Sequence, residues 1–244
     1  MSERNGPTEM SAKAFTDELR LHGGPVDVAK NRRLFRTDND FWGVRMGQVF
    51  ALAKEYAALA PGEIEALLDS PVHEVRVGAV SIMGHQAVAK RTSEERRREL
   101  YELYLRRTDR IDTWDLVDVS AHKVVGGHLI DKPRDVLYSL ARSPHWWERR
   151  VAMFSTLWFI RRGQVEDTFA LAEVLVDDDH DLMHKVVGGM LREAGKVDPG
   201  RLAGFLDRHA ATMPRVMLRA AVERLGPEQR EHYMALKADQ DESA

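Results

Sequence analysis

Trp114 and Asp118 stand four residues apart in the segment Trp114-Asp115-Leu116-Val117-Asp118. On an α-helix, residues four apart share a face, so this indole and this carboxylate project side by side. An aromatic plane beside an acceptor-only anion is a receptor for a flat, positively charged group. The same residues have a plainer reading, in which the indole is core and the carboxylate pairs with a neighbouring base. Both readings put the pair on one helix. Arg149 and Arg150 follow one helical hairpin later.

Other chemistries have little to stand on. The chain holds no GxxxxGK[ST] loop for a nucleotide phosphate and no HExxH zinc motif. His180 and His184 are four apart with Asp181 between them, but two ligands do not make a metal site. Ser120 and His122 share a helix without a third group to orient them. The expectation is therefore a protein that works with no metal, nucleotide or other cofactor. The absence of cysteine excludes disulfides and thiolate sites and is compatible with a reducing compartment.

The elements that must position these residues come from a repeat. His122–Gly127 reads His-Lys-Val-Val-Gly-Gly, and so does His184–Gly189. A looser pattern, a basic residue followed by small or β-branched apolar ones, recurs at Arg76, Lys123, Arg150, Lys185 and Arg219. The later members are about 35 positions apart, the period of stacked helix pairs and slightly short of the usual HEAT length. Breaks carrying Pro, Gly, Ser or Asp divide the chain into helical stretches, and no stretch alternates long enough for a strand. These features predict an all-α fold, a right-handed superhelical solenoid of roughly six HEAT-like helix pairs. Residues 11–237 form a single repeat domain in this reading, with unstructured ends at 1–10 and at the acidic 238–244.

Net charge is −3, which argues weakly against a nucleic-acid partner. Position matters more than the sum. Acid gathers at Asp177–Asp179, Asp181 and Asp239–Glu242, whereas basic residues recur inside the helices. Five cations in one register predict a concave basic face able to track a phosphate backbone. The alternative is that their stems simply snorkel from a packed face. Each Gly of the paired glycines costs a helix about 1 kcal/mol against Ala. Either neighbouring helices pack closely there or a ligand approaches the bare helix surface. With no apolar run of about 18 residues and no hydrophobic leader at the N-terminus, a cytoplasmic location and no membrane partner are expected.

Four segments, in order, resemble the AlkD family of HEAT-like alkylpurine DNA glycosylases. Thr113–Asp118 is similar to the family's Trp/Asp motif, and Trp147-Glu148-Arg149-Arg150-Val151-Ala152 to its arginine helix. His184–Glu193, ending Gly188-Gly189-Met190-Leu191-Arg192-Glu193, resembles the next inner helix, and Phe41-Trp42-Gly43-Val44 an aromatic-glycine turn. The resemblance covers about residues 30–225. It implies hydrolysis of the N-glycosidic bond of 3- or 7-alkylpurines in duplex DNA, without flipping of the base. In that chemistry Asp118 stabilises the oxocarbenium-like sugar and orients water, while Trp114 lies against the deoxyribose and the cationic lesion. Arg150 holds a phosphate, with Arg149, Lys123, Lys185 and Arg219 as further DNA contacts.

The implied partner is double-stranded DNA with alkylated bases, bound by a monomer that is nucleoid-associated when engaged. Two positions depart from the family: Gly189 replaces its second tryptophan, and Leu34, with Phe35 beside it, falls where an N-terminal aromatic belongs. These departures leave room for a DNA-binding paralogue without chemistry, or for a HEAT-like protein-interaction scaffold.

Overall fold

Local capping fixes where several helices begin. Ser11 Oγ accepts from Ala14 N at 3.1 Å, Ser93 Oγ from Arg96 N at 3.1 Å and Asp198 Oδ1 from Arg201 N at 2.9 Å. Pro61 and Pro199 open their helices, where a missing N–H removes no helical bond. The structure, a computed structural model, describes residues 9–24, 28 and 39–241, with side chains to residue 236. Leu34 and Phe35 lie outside the described residues. The chain divides into two compact units between His128 and Leu129.

In the first unit the helices are α1 (Ala12–Arg20), α2 (Met46–Glu55), α3 (Pro61–Leu68), α4 (His73–Val88) and α5 (Glu94–Arg106). A 3-10 turn at Thr108–Arg110 leads to α6 (Trp114–Ala121), which continues into a π-helical turn at His122–Gly126. Helix α4 is almost wholly buried, and its polar residues His73, Glu74 and Arg76 are buried with the apolar ones. It packs on α2, α3 and α6 and forms the core of this unit.

The second unit holds α7 (Asp135–Leu140), α8 (Trp146–Ser155), α9 (Leu157–Ile160), α10 (Glu166–Leu175) and α11 (Asp181–Gly195). It ends with α12 (Pro199–His209), α13 (Arg215–Ala221) and α14 (Pro227–Asp241). Here α11 is central and packs on α8, α10, α12 and α13. Each unit is thus a stack of helices of the solenoid class that the repeat predicts. No strand forms among the described residues beyond one bridge between Asp40 and Val72. No helix among them is long and apolar enough to cross a membrane.

Three departures from the sequence reading have local causes. The helix expected over 145–162 breaks at Thr156. There Ser155 Oγ donates to Val151 O at 2.6 Å and Thr156 Oγ1 to Met153 O at 2.7 Å, side-chain bonds that compete with the helical ladder. Helix α14 runs to Asp241, past the expected start of a tail at 238. The identical hexapeptides adopt different backbones: His184–Gly189 is regular α-helix, whereas His122–Gly126 is π-helical, with Gly127 N–H bonded to His122 O.

The paired glycines of α11 separate the two explanations for them. A Cβ at Gly188 would stand 2.4 Å from Met217 O and 2.8 Å from Ala220 Cβ, so α13 packs against bare helix there. A Cβ at Gly189 would meet nothing within 4 Å. Gly188→Ala is therefore expected to lower stability by about 1–3 kcal/mol, and Gly189→Ala to raise it by up to about 1 kcal/mol. Urea unfolding midpoints read the difference; equal shifts would remove the packing role of Gly188.

Candidate functional site

Helix α6 carries Trp114 and Asp118, and buried bonds hold its beginning. Asp115, its second residue, accepts from Thr113 Oγ1 at 2.7 Å through one oxygen. Its other oxygen lies 2.8 Å from Nε2 of His73, whose side chain is wholly buried. Arg76, also buried, donates through Nη1 to Arg110 O at 3.1 Å and to Asp112 Oδ1 at 2.9 Å. Burial depresses the pKa of this guanidinium, and the Asp112 charge opposes that fall. Arg110 in turn binds the carbonyls of Leu68, Asp69 and Ser70 at 2.9–3.2 Å. The far end of α6 is tied by Ser120 Oγ, 3.3 Å from the hydroxyl of the buried Tyr104.

Trp114 and Asp118 themselves are half-buried. The Asp118 carboxylate is close enough to Tyr104 for its charge to matter. Burial raises the phenol far above its ordinary pKa, the Ser120 bond opposes the rise, and Asp118 adds to it.

Counting from the helix starts changes the repeat register. Arg150, Lys185 and Arg219 are each the fifth residue of their helices, α8, α11 and α13, and Arg76 is the fourth of α4. The fifth residue of α6 is Asp118. Lys123, placed in register by the hexapeptide, instead lies in the π-helical turn, its stem against Gly84; a Cβ there would be 3.2 Å from Lys123 Cδ. Its charge helps, after burial, to hold the His85 imidazole below its usual pKa. One repeat thus carries an anion where the others carry a cation.

In the second unit Arg149 is fully engaged. Its Nε and Nη2 grip the two oxygens of Asp178 at 2.6 and 2.9 Å, and Nη1 donates to Ser143 O and Pro144 O at 3.0 and 3.2 Å. The Asp178 side chain is 3% exposed, and its bond and charge raise the Arg149 pKa. Arg150 is buried and donates through Nη1 to Leu182 O at 2.6 Å. Lys185 and Arg219 are exposed. Gly189 is one turn beyond Lys185 on the same helix face.

The neighbouring tryptophans have their own stacks. Trp146 lies on His180 at 4.6 Å, Trp147 on His145 at 4.7 Å, and Trp158 under Arg162 at 3.9 Å. No group of three or more His, Cys, Asp or Glu among the described residues is placed to hold a metal ion.

Sequence reasoning missed His73, Asp115, Thr113 and Tyr104, the residues that hold α6. A signal existed in His73-Glu74-Val75-Arg76, three ionisable residues opening an otherwise apolar helix. Glu74, the second of them, is wholly buried and accepts from the backbone N–H groups of Trp42, Gly43 and Val44 at 2.8–3.3 Å. It holds the aromatic-glycine turn in which Gly43 has a φ of 75°.

A family model described as DNA alkylation repair enzyme matches residues 15–225. The chain belongs to the DNA alkylation repair enzyme family. The match spans both units and every segment of the resemblance described above. A solved structure of a predicted DNA alkylation repair enzyme from Enterococcus faecalis shares the fold, with a TM-score of 0.68 and 17% sequence identity. The alignment covers 84% of this chain and 98% of that one. No curated protein matches the sequence. Membership gives the chain a role in DNA alkylation repair, as an enzyme whose substrate is DNA.

The contrast between engaged and exposed cations is measurable. Arg149→Ala strips the partner from a buried carboxylate and is expected to cost about 3 kcal/mol or more of stability. Lys185→Ala is expected to leave stability within about 0.5 kcal/mol. It should lower the slope of log DNA affinity against log salt by about 1. A Lys185 variant with an unchanged salt slope would remove that residue from the phosphate contact.

Proposed function

We propose that the chain is a DNA glycosylase that releases cationic 3- or 7-alkylpurines from duplex DNA by hydrolysis, without flipping the base. The observation that carries this reading is the pair on α6: Trp114 and Asp118 are four residues apart on one helix and half-buried, with Asp118 at the register position where other repeats hold a cation. Alkylation at N3 or N7 leaves the purine positively charged, so it departs as a neutral base when the C1′–N bond breaks. The bond's electrons go to the purine, and the positive charge passes to the sugar. Asp118 faces that developing cation and stabilises it, then takes a proton from the water whose oxygen bonds to C1′. Trp114 shields the site and stacks on the cationic ring.

DNA is held along its phosphates. Lys185 and Arg219 are exposed and suited to that work. Arg150 is part of the same register, with its guanidinium anchored at Leu182 O. Arg149 and Lys123 complete the proposed basic set, Arg149 as the residue that keeps Asp178 neutralised beneath it.

Gly189 supports a second reading, binding to damaged DNA without base release, because the family's second tryptophan is missing there. A Cβ at Gly189 meets nothing within 4 Å, so a side chain can start there without a clash. Mass spectrometry of free bases from methylated duplex DNA separates the readings. Wild type is expected to release 7-methylguanine or 3-methyladenine, Asp118→Asn to be slower by about 100-fold or more, and Gly189→Trp to be faster than wild type. Salt-sensitive DNA binding with no release would select the binding-only reading. Neither binding nor release would leave a protein-interaction scaffold.

A further inference from the structure

We propose that His73, acting through Asp115, is a positioning residue that locks the roll of α6 about its own axis and thereby places Asp118. With 3.6 residues per turn, Asp118 lies about 40° around the helix from Trp114 and about 60° from Asp115. Fixing the azimuth of Asp115 therefore fixes the direction in which the Trp114–Asp118 face points.

Asp115 is held at both oxygens, by Thr113 Oγ1 at 2.7 Å and by His73 Nε2 at 2.8 Å. The imidazole is itself enclosed. It is the first residue of α4, its side chain is wholly buried, and its ring packs on Phe41 with centroids 5.1 Å apart. The residues after it anchor the same turn: Glu74 to the 42–44 backbone and Arg76 to Arg110 and Asp112. Ser120 and Tyr104 hold the other end of α6 through a longer contact of 3.3 Å.

The lever arm makes the lock matter. A side-chain end about 5–6 Å from a helix axis moves about 1 Å for a roll of about 10°. A misplacement of that size can slow a reaction about 100-fold. Apolar burial around α6 is non-directional and does not by itself define one orientation of the helix. A hydrogen-bonded pair with a rigid ring at one end has a single favourable geometry. The network also separates the two carboxylates of the motif. Asp115, with both oxygens occupied and its side chain 12% exposed, is structural support for the helix that carries Asp118.

The kinetic part of this inference rests on the glycosylase reading; the structural part does not. The test compares full-length wild type with His73→Phe, which keeps a ring and loses the bond, and His73→Gln, which returns a side-chain N–H. In spectra of the 15N-labelled protein, the Trp114 indole resonance is expected to shift in His73→Phe and return in His73→Gln, with that of Trp158 unmoved. The rate constant for base release should fall about 10- to 100-fold in His73→Phe while DNA affinity stays constant. Adding His73→Phe to Asp118→Asn should cause no further loss, because the effect passes through Asp118. Thr113→Val, which frees the other oxygen of Asp115, should shift the same resonance and serves if His73→Phe does not fold. An unmoved Trp114 resonance, or a rate loss that persists in full beside Asp118→Asn, would overturn the lock. If wild type releases no base, the glycosylase reading fails and the resonance alone decides the lock.

Discussion

Three ionisable side chains buried in one helical turn govern the first unit. His73, Glu74 and Arg76 open α4 inside the core, where an unsatisfied polar group is expensive. Each reaches a different piece of chain: the start of α6, the turn at Trp42–Val44, and the segment from Arg110 to Asp112. Those bonds span 2.8–3.3 Å. Hydrogen bonds are directional where apolar burial is not, so the three groups favour one arrangement of the chains around them. The position of Asp118 is a consequence of that requirement, transmitted through Asp115.

The second unit answers a similar demand differently. Arg149 closes on Asp178 and two carbonyls, while Arg150 reaches Leu182 O, so two adjacent cations become internal ties between α8 and the chain leading into α11. The cations that remain outward, Lys185 and Arg219, are each the fifth residue of helices whose contact is made close by Gly188. A basic register in a repeat protein therefore has two uses in this molecule: internal bracing where the residue is buried, and availability to polyanions where it is exposed.

Periodicity and breaks carried most of the fold, because helix pairs are local structures and their apolar spacing is written along the chain. The Trp114–Asp118 pair was legible for the same reason, being a relation within one helix. What the chain could not display was contact between distant segments. His73 and Asp115 are 42 residues apart, and nothing in either one's surroundings names the other. The hexapeptide misled for a physical reason: identical residues sit in a regular helix in one copy and a π-helical turn in the other, at different heights from the helix start. Counting from helix starts would have aligned Asp118, and not Lys123, with the repeat cations. Arg149 read as an exposed cation because its partner, Asp178, looked like part of an acidic loop.

Arg76 and Arg150 share one more property: each ends on a main-chain carbonyl, that of Arg110 or of Leu182. A carbonyl is present whatever residue occupies the position. A joint made in this way tolerates wide drift in the sequence of the neighbour it fastens, since any amino acid supplies the acceptor. Where a module is fastened to its neighbour in this way, its outward side chains can change while that part of the joint stays intact.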